Sequence, residues 1–409
     1  MDKKKLNDYA RLLALKGVNV EKGDEVWVYS GLQQPDFIAA VVEQLYKGGA
    51  KRVEVFLDDD RFYRLGAKYQ SVTTMAKFYP WSKARYIYRK KHNVSTLYID
   101  DADPDGLKGV NQAKLAKARM KQYPKIKPYR DALEGKYKWC IGAVPGKAWA
   151  KKVFPDVSEE EAMEKLWEAI FHTSRVDGVD AVANWDKHNA ELVEKRNKLH
   201  DLDLVELHYE ASNGTNFTVG LIPGMLWGAG IEETQNDKRT FNPNIPSEEV
   251  FTTPMRGKAE GLLVASKPLS YMGELIENFS IRFKDGKVCE VKAEKGQKLL
   301  ETMVKMDEGA SMLGEVALIP FASPINETGI LFYNTLFDEN AACHVALGMG
   351  FRECYPNSEG MTTEELLEKG VNDSMIHVDF MIGTKDLSIV GTNSKGVKIQ
   401  IFKDGEWAI

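Results

Sequence analysis

Five residues in the second half of this 409-residue chain have side chains that bind cations and move protons. Glu249 closes NPNIPSEEV, Glu315 stands in LGEVALIP and His344 in DENAACHVALG. His377 and Asp379 share SMIHVDFMIG. Each has an ordinary explanation when taken alone. Glu315 reads as a strand-end residue turned to solvent, His344 as a hydrogen-bonded core histidine, and Glu249 as a loop or helix-start carboxylate. Together they place two imidazoles and three carboxylates within 131 residues, in apolar or loop-terminal settings with few Lys or Arg beside them. Buried carboxylates without partners are costly, so several in one place call for cations. Borderline divalent ions such as zinc or cobalt accept mixed imidazole and carboxylate ligands. Two such ions carry four positive charges. Glu249, Glu315 and Asp379 neutralise three, and a hydroxide the fourth. That is the balance of a two-metal hydrolase, in which the metals acidify water and hold the attacked carbonyl. HExxH, GxSxG and Cys–His–Asn signatures are missing from the sequence, so single-zinc helix, serine and cysteine mechanisms have little support. His92, His172, His188, His200 and His208 lack a companion carboxylate pattern and read as surface or core residues.

These side chains need elements to aim them. SMIHVDFMIG has the period of a strand, with Ile376, Val378 and Phe380 on one face and His377, Asp379 and Met381 on the other. LGEVALIP reads as a strand over 314–320 and GILFYNTL as another over 329–336. His344 is expected on the second turn of a helix around 339–347, with Asp338 as its N-cap and Asp338 or Glu339 as the residue that orients it. GTNFTVGLIPGMLWGAG has the Gly and aromatic content of either a loop lining a cavity or a turn-rich hairpin.

The wider pattern predicts an α/β N-terminal domain with a mostly parallel sheet and a C-terminal α+β metal-bearing domain. In the first third, helical runs alternate with the strands 24–30, 52–58, 96–100 and 137–144. No GxGxxG follows the first strand, so nothing there marks a dinucleotide site. Helices over 158–176 and 181–202 form a bridge, the first opening on a capping-box pattern at Ser158. From about 203 strands arrive in series, with Asp285-Gly286 as a hairpin turn. We place the domains at 1–200 and 201–409.

Composition narrows the function classes. The net charge of −5, with acidic and basic residues interleaved, suggests neither a nucleic-acid nor a membrane partner. No run of 18 apolar residues is present. The N-terminus reads as an amphipathic helix without an apolar leader. Four scattered cysteines without a CxxC suit free thiols in a cytoplasmic protein.

Several long stretches in order, NPNIPSEEVFTTP, LGEVALIP, GILFYNTLFDENAACHVALG and HVDFMIGT, resemble the aminopeptidase T family, whose members are also called aminopeptidase S and PepS. PGKAWAKKVFP, LWEAIF and GTNFTVGL extend the likeness over most of residues 140–409. The resemblance implies a homodimer of two-domain chains, a dinuclear site holding two divalent ions per chain, and removal of N-terminal residues from peptides with a free N-terminus. Zinc or cobalt is expected there, with magnesium and manganese as further candidates. It implies that Glu249, Glu315, His344, His377 and Asp379 are the metal ligands. Glu315 is expected to bridge the metals, and Glu249, or its neighbour Glu248, to act as base. One departure stands out. The family usually carries a tyrosine seven residues after the histidine of DENAACH, and this chain has Phe351 there, with Tyr355 four residues later. The alternatives are another two-metal amide or ester hydrolase, or a weakly active metal-binding dimer.

Overall fold

The computed structural model describes residues 2–409. The chain forms two compact units, each drawn from two segments: 1–188 with 231–246, and 189–230 with 247–409.

In the first unit, strands β1 (Glu25–Ser30), β2 (Arg52–Leu57), β3 (Ser95–Asp100) and β4 (Trp139–Ala143) are all parallel, in the order β2-β1-β3-β4. Parallel neighbours need crossover connections, and helices supply them. Helix α1 (Pro35–Lys47) joins β1 to β2. It starts with proline, whose missing N–H would have no partner there anyway, and it buries Phe37, Ile38, Val41 and Leu45 along one stripe. The segment 231–246 closes the unit by pairing with β4. Ile141 N–H donates to Pro243 O at 2.7 Å, and Ile245 N–H donates to Ile141 O at 3.0 Å. Beside it the wholly buried Lys138 pairs with Asp24 at 2.8 Å, and Arg239 meets the same carboxylate at 2.8 Å. The helices expected over 158–176 and 181–202 run Glu159–Thr173 and Ala181–Asp201, and the first lies wholly within this unit. Ser158 caps the first by accepting the Glu161 N–H at 3.2 Å.

The second unit contains two antiparallel sheets. The nine-stranded one includes Leu204–Glu210, Asn216–Leu221, Pro254–Val264, Glu274–Lys284, Lys287–Lys295, Ser388–Asn393 and Lys398–Lys403. The Asp285-Gly286 turn is as read, with both residues at positive φ (51° and 76°) as a tight hairpin demands. The smaller sheet carries β5 (Val250–Thr252), β6 (Leu313–Leu318), β7 (His344–Gly348) and β8 (His377–Met381), in the order β8-β7-β6-β5, with Gly228–Ala229 at the edge. One face of this sheet belongs to the core. Val250, Val316, Leu318, Val345, Leu347, Val378 and Phe380 all join the main apolar cluster of the unit.

Two expected elements are different. The segment 329–336 is not a strand. Tyr333 is left-handed (φ 55°), Phe332 stacks on Phe337 at 4.7 Å, and a one-turn helix starts at Thr335. Nor does a helix run through 339–347. It ends by Ala341, Ala342 is extended, and His344 opens β7. The Ala-rich run suits a helix by composition. However, it is buried on both faces between β6 and β8, where strand pairing satisfies its backbone groups. Asp338 is not an N-cap either. Asn334 caps the short helix, and Asp338 is its last residue. There its carboxylate accepts the N–H groups of Phe332 and Asn334 at 2.8 and 3.0 Å.

Candidate metal centre

The register of the small sheet brings the chemistry together. Glu315 lies opposite Ala346, which in turn faces Asp379. His344 lies opposite Ala317, and Gly348 opposite His377. In antiparallel pairs, opposite residues share a face. Glu315, His344, His377 and Asp379 therefore project from one face, over a floor of Ala317, Ala346 and Gly348 whose small side chains leave room. Glu249 comes from the end of β5, two residues before Phe251, which pairs with Ala317 on that same face. All five residues named from the sequence come together.

They form two trios that share one residue. Glu249, Glu315 and His344 make one, and Glu315, His377 and Asp379 the other, each with its donor atoms within 4.8 Å of one another. His344 Nε2 is 3.5 Å from Glu249 and 3.9 Å from Glu315. His377 Nε2 is 3.1 Å from Glu315 and 3.3 Å from Asp379. The other ring nitrogens are fixed by backbone. His344 Nδ1 is 2.7 Å from Glu339 O, and His377 Nδ1 is 2.7 Å from Met349 O. A carbonyl only accepts, so each Nδ1 carries the proton and each Nε2 presents its remaining valence to the carboxylates. Outer partners orient metal-binding histidines in this way.

The donor set fits divalent cations. Glu315 is 3 % exposed. Burial pushes its pKa up against the pull of His377 and His344. Burial disfavours charge on His377 too, but the Asp379 and Glu315 carboxylates outweigh it and raise that pKa well above the usual value. The same histidines, against the cost of burial, hold Asp379 below the ordinary carboxylate range. The centre thus already favours positive charge at the point where Nε2 meets the carboxylates. Asp379 Oδ1 is buried and lacks a hydrogen-bond partner, although His377 Nε2 lies 3.3 Å away off-line. An orphaned carboxylate oxygen beside two imidazole nitrogens is what a cation would satisfy.

Glu339 was expected only to orient His344, and its carbonyl does accept the His344 Nδ1–H. Burial, followed by the charges of Asp379, Glu249 and Glu315, raises its carboxyl pKa well above normal, so it faces the centre without joining either trio. Asn340 ties it in, donating to Glu339 Oε1 at 3.4 Å while accepting the Glu248 N–H at 2.8 Å. Glu248 is buried next to Glu249 but belongs to neither trio. Phe351 sits against the second trio, its ring 4.8 Å from that of His377 and 5.2 Å from Phe251. Thr253 Oγ1 pins it by accepting its N–H at 2.7 Å. Tyr355 packs against the core cluster. Of GTNFTVGLIPGMLWGAG, the first part is a strand of the large sheet, and Gly228–Ala229 borders β5. The other histidines have ordinary roles, as in His200 Nε2 accepting the Trp227 N–H at 2.7 Å.

Comparison with known proteins covers the whole chain. The sequence profile of the thermophilic metalloprotease (M29) family matches residues 2–407. The chain is 38% identical over 405 residues to aminopeptidase AmpS of Bacillus subtilis (strain 168), covering 99% of this chain and 98% of that one. It is 39% identical over 407 residues to aminopeptidase 2 of Geobacillus stearothermophilus, with the same coverage. The structure of wild-type AmpT from Thermus thermophilus matches with a TM-score of 0.90 at 36% identity, over 100% of both chains.

Proposed function

The chain belongs to the thermophilic metalloprotease (M29) family and is a metal-dependent aminopeptidase, and from that premise we propose how its residues do the work. Two divalent ions are held by the two trios: Glu249, Glu315 and His344 hold one, and Glu315, His377 and Asp379 the other. The observation that carries this reading is the sharing of Glu315, which makes one carboxylate available to both sites. When bound, such ions lower the pKa of a water and polarise the peptide carbonyl.

The remaining roles belong to the chain. The Nδ1–H bonds to Glu339 O and Met349 O keep both imidazoles turned inward. Glu249 takes the proton of the attacking water and returns it to the leaving amine, with the buried Glu248 as the alternative base. The substrate's free α-amino group is recognised by a metal or by a carboxyl that belongs to neither trio, for which Glu339 is the candidate. That recognition makes cleavage exo-acting. Phe351 leaves a hydrocarbon where a phenol would donate to the developing oxyanion. We assign that role either to Tyr355 or to no residue. A cytoplasmic homodimer completes the proposal, supported by the four free cysteines and, for the dimer, by the family resemblance.

The test is metal content per chain together with hydrolysis of Leu-p-nitroanilide and of its N-acetyl derivative, after dialysis against zinc or cobalt. We expect two metals per chain and cleavage of the free-amine substrate alone. One metal or none at saturation refutes the paired site, and cleavage of the acetylated substrate refutes exo-action.

A further inference from the structure

The short turn Glu339–Ala341 is bonded to two other parts of the centre. The carbonyl of Glu339 accepts the Nδ1–H of His344 at 2.7 Å. The next residue, Asn340, is wholly buried, and its Oδ1 accepts the Glu248 N–H at 2.8 Å. Glu249 directly follows Glu248 and shares a trio with His344. Two of the three donors in that trio are therefore referred to one turn, His344 through a backbone carbonyl and Glu249 through the Asn340 amide. The turn is itself fixed. Asn340 Nδ2 donates to Leu336 O at 3.1 Å, and the buried Ser323 donates its hydroxyl to Ala341 O at 2.7 Å. The other trio is held elsewhere. His377 Nδ1 donates to Met349 O at 2.7 Å, and the strand that carries His377 and Asp379 is paired with β7.

Glu249 needs such an anchor more than the other donors do. The ladder between β5 and β6 begins at Val250, so Glu248 and Glu249 lie just outside it. Within a ladder, strand partners fix the backbone that carries a ligand. Outside it, a side-chain acceptor that bonds a buried N–H has the same effect. Groups that hold a ligand in this way tune the affinity of the metal it binds. We propose that Asn340 is a positioning residue for one of the two ions. It sets Glu249, together with the neighbouring Glu248, against His344, and leaves the site of His377 and Asp379 to its own supports. The inference rests on the two-metal reading of the centre.

The test titrates zinc into the metal-free wild type, Asn340→Leu and Asn340→Asp by calorimetry. The wild type is expected to bind two ions per chain. Asn340→Leu nearly keeps the volume and removes the acceptor. It should weaken one ion at least about tenfold and leave the other within about twofold. Asn340→Asp keeps an oxygen for the Glu248 N–H, and both ions should stay within about threefold of the wild type. His344→Ala removes the imidazole of the affected trio, so adding Asn340→Leu to it should leave the remaining ion unchanged. Ser323→Ala removes only the outer bond to Ala341 O and is the milder variant should Asn340→Leu fail to fold. It should weaken the same ion. Equal weakening of both ions in Asn340→Leu or Ser323→Ala, or no weakening in either, overturns the proposal. An Asp variant as weak as the Leu variant overturns it as well, since the acceptor is then irrelevant. A wild type that takes up fewer than two ions at saturation refutes instead the two-metal reading beneath it.

Discussion

At the scale of single residues, Glu315 is the one the centre depends on most, because both trios include it. Glu315→Gln keeps the volume and removes the charge. We expect it to fold, to bind fewer than two metals per chain by elemental analysis, and to lose at least ~100-fold in kcat. Full activity with two metals would rule out a shared ligand. His377 sets the pH dependence. Its pKa is raised, despite burial, by Asp379 and Glu315, so its Nε2 keeps a proton at higher pH than a free imidazole does. Proton and metal compete for that nitrogen. Metal content should therefore begin to fall at a pH above the ordinary histidine value of about 6.5, moving down through it. Replacing Asp379 by Asn removes a ligand of the same ion, so metal content read across pH 5–8 should be lower throughout. Phe351→Tyr places a hydroxyl on a ring already 4.8 Å from His377. If the reaction lacks an oxyanion donor, kcat rises tenfold or more with little change in KM. No change means that Tyr355 already serves or that no phenol is needed, and loss of activity in Tyr355→Phe separates the two. His377 and Asp379 were legible in the sequence because strand alternation fixes their shared direction. Glu339 was legible as a neighbour that orients His344, but the direction of its carboxyl was not, since it sits on a single irregular turn where no period says which way a side chain points.

At the scale of elements, legibility followed the origin of the order. Strands β1 to β4 and the strand with the Asp285-Gly286 hairpin were readable because alternation and turn chemistry are local. The strand at His344–Gly348 was not, because Ala-rich sequence has no strong strand preference and only its neighbours β6 and β8 make it one. That dependence makes Gly348 critical. It has φ 107°, and a Cβ there would lie 2.1 Å from Ile376 O. It also faces His377 across the ladder and holds Asn372 Nδ2 through its carbonyl at 2.6 Å. Gly348→Ala must pay for the left-handed backbone and move β8 as well. We expect a loss above ~2 kcal/mol and a weaker affinity for metal. Gly360→Ala is the control: φ is 79° but nothing lies within 4 Å. It should lose only about 1 kcal/mol and keep the same metal affinity. Chemical denaturation and metal titration of the two variants decide it, and equal losses would mean that Gly348 matters only for its own dihedrals.

At the scale of the whole molecule, the chain passes from one unit to the other three times, and the first unit is incomplete without 231–246. No local pattern in the sequence marks that return, because its contacts lie some 100 to 220 residues back, at Ile141, Asn19 and Asp24. Its contribution is large. Ile245 and Phe241 are buried, Ile141 loses two backbone hydrogen bonds without it, and Arg239 leaves Asp24. Lys138, fully buried, would keep Asp24 but at an edge opened to water. Breaking a buried charge network of this kind costs ~3–5 kcal/mol, a large part of the stability of a domain. A fragment of residues 1–188 should therefore melt broadly and give weak near-ultraviolet circular dichroism. The same fragment joined to 231–246 by a flexible linker of about 20 residues should melt cooperatively. Arg239→Ala within the joined fragment should lower the midpoint, because Asp24 then keeps Lys138 alone. If 1–188 melts as sharply and as high as the joined fragment, the returning segment is an ornament on a unit already complete. The same result would make an uninterrupted N-terminal domain the better description of the chain.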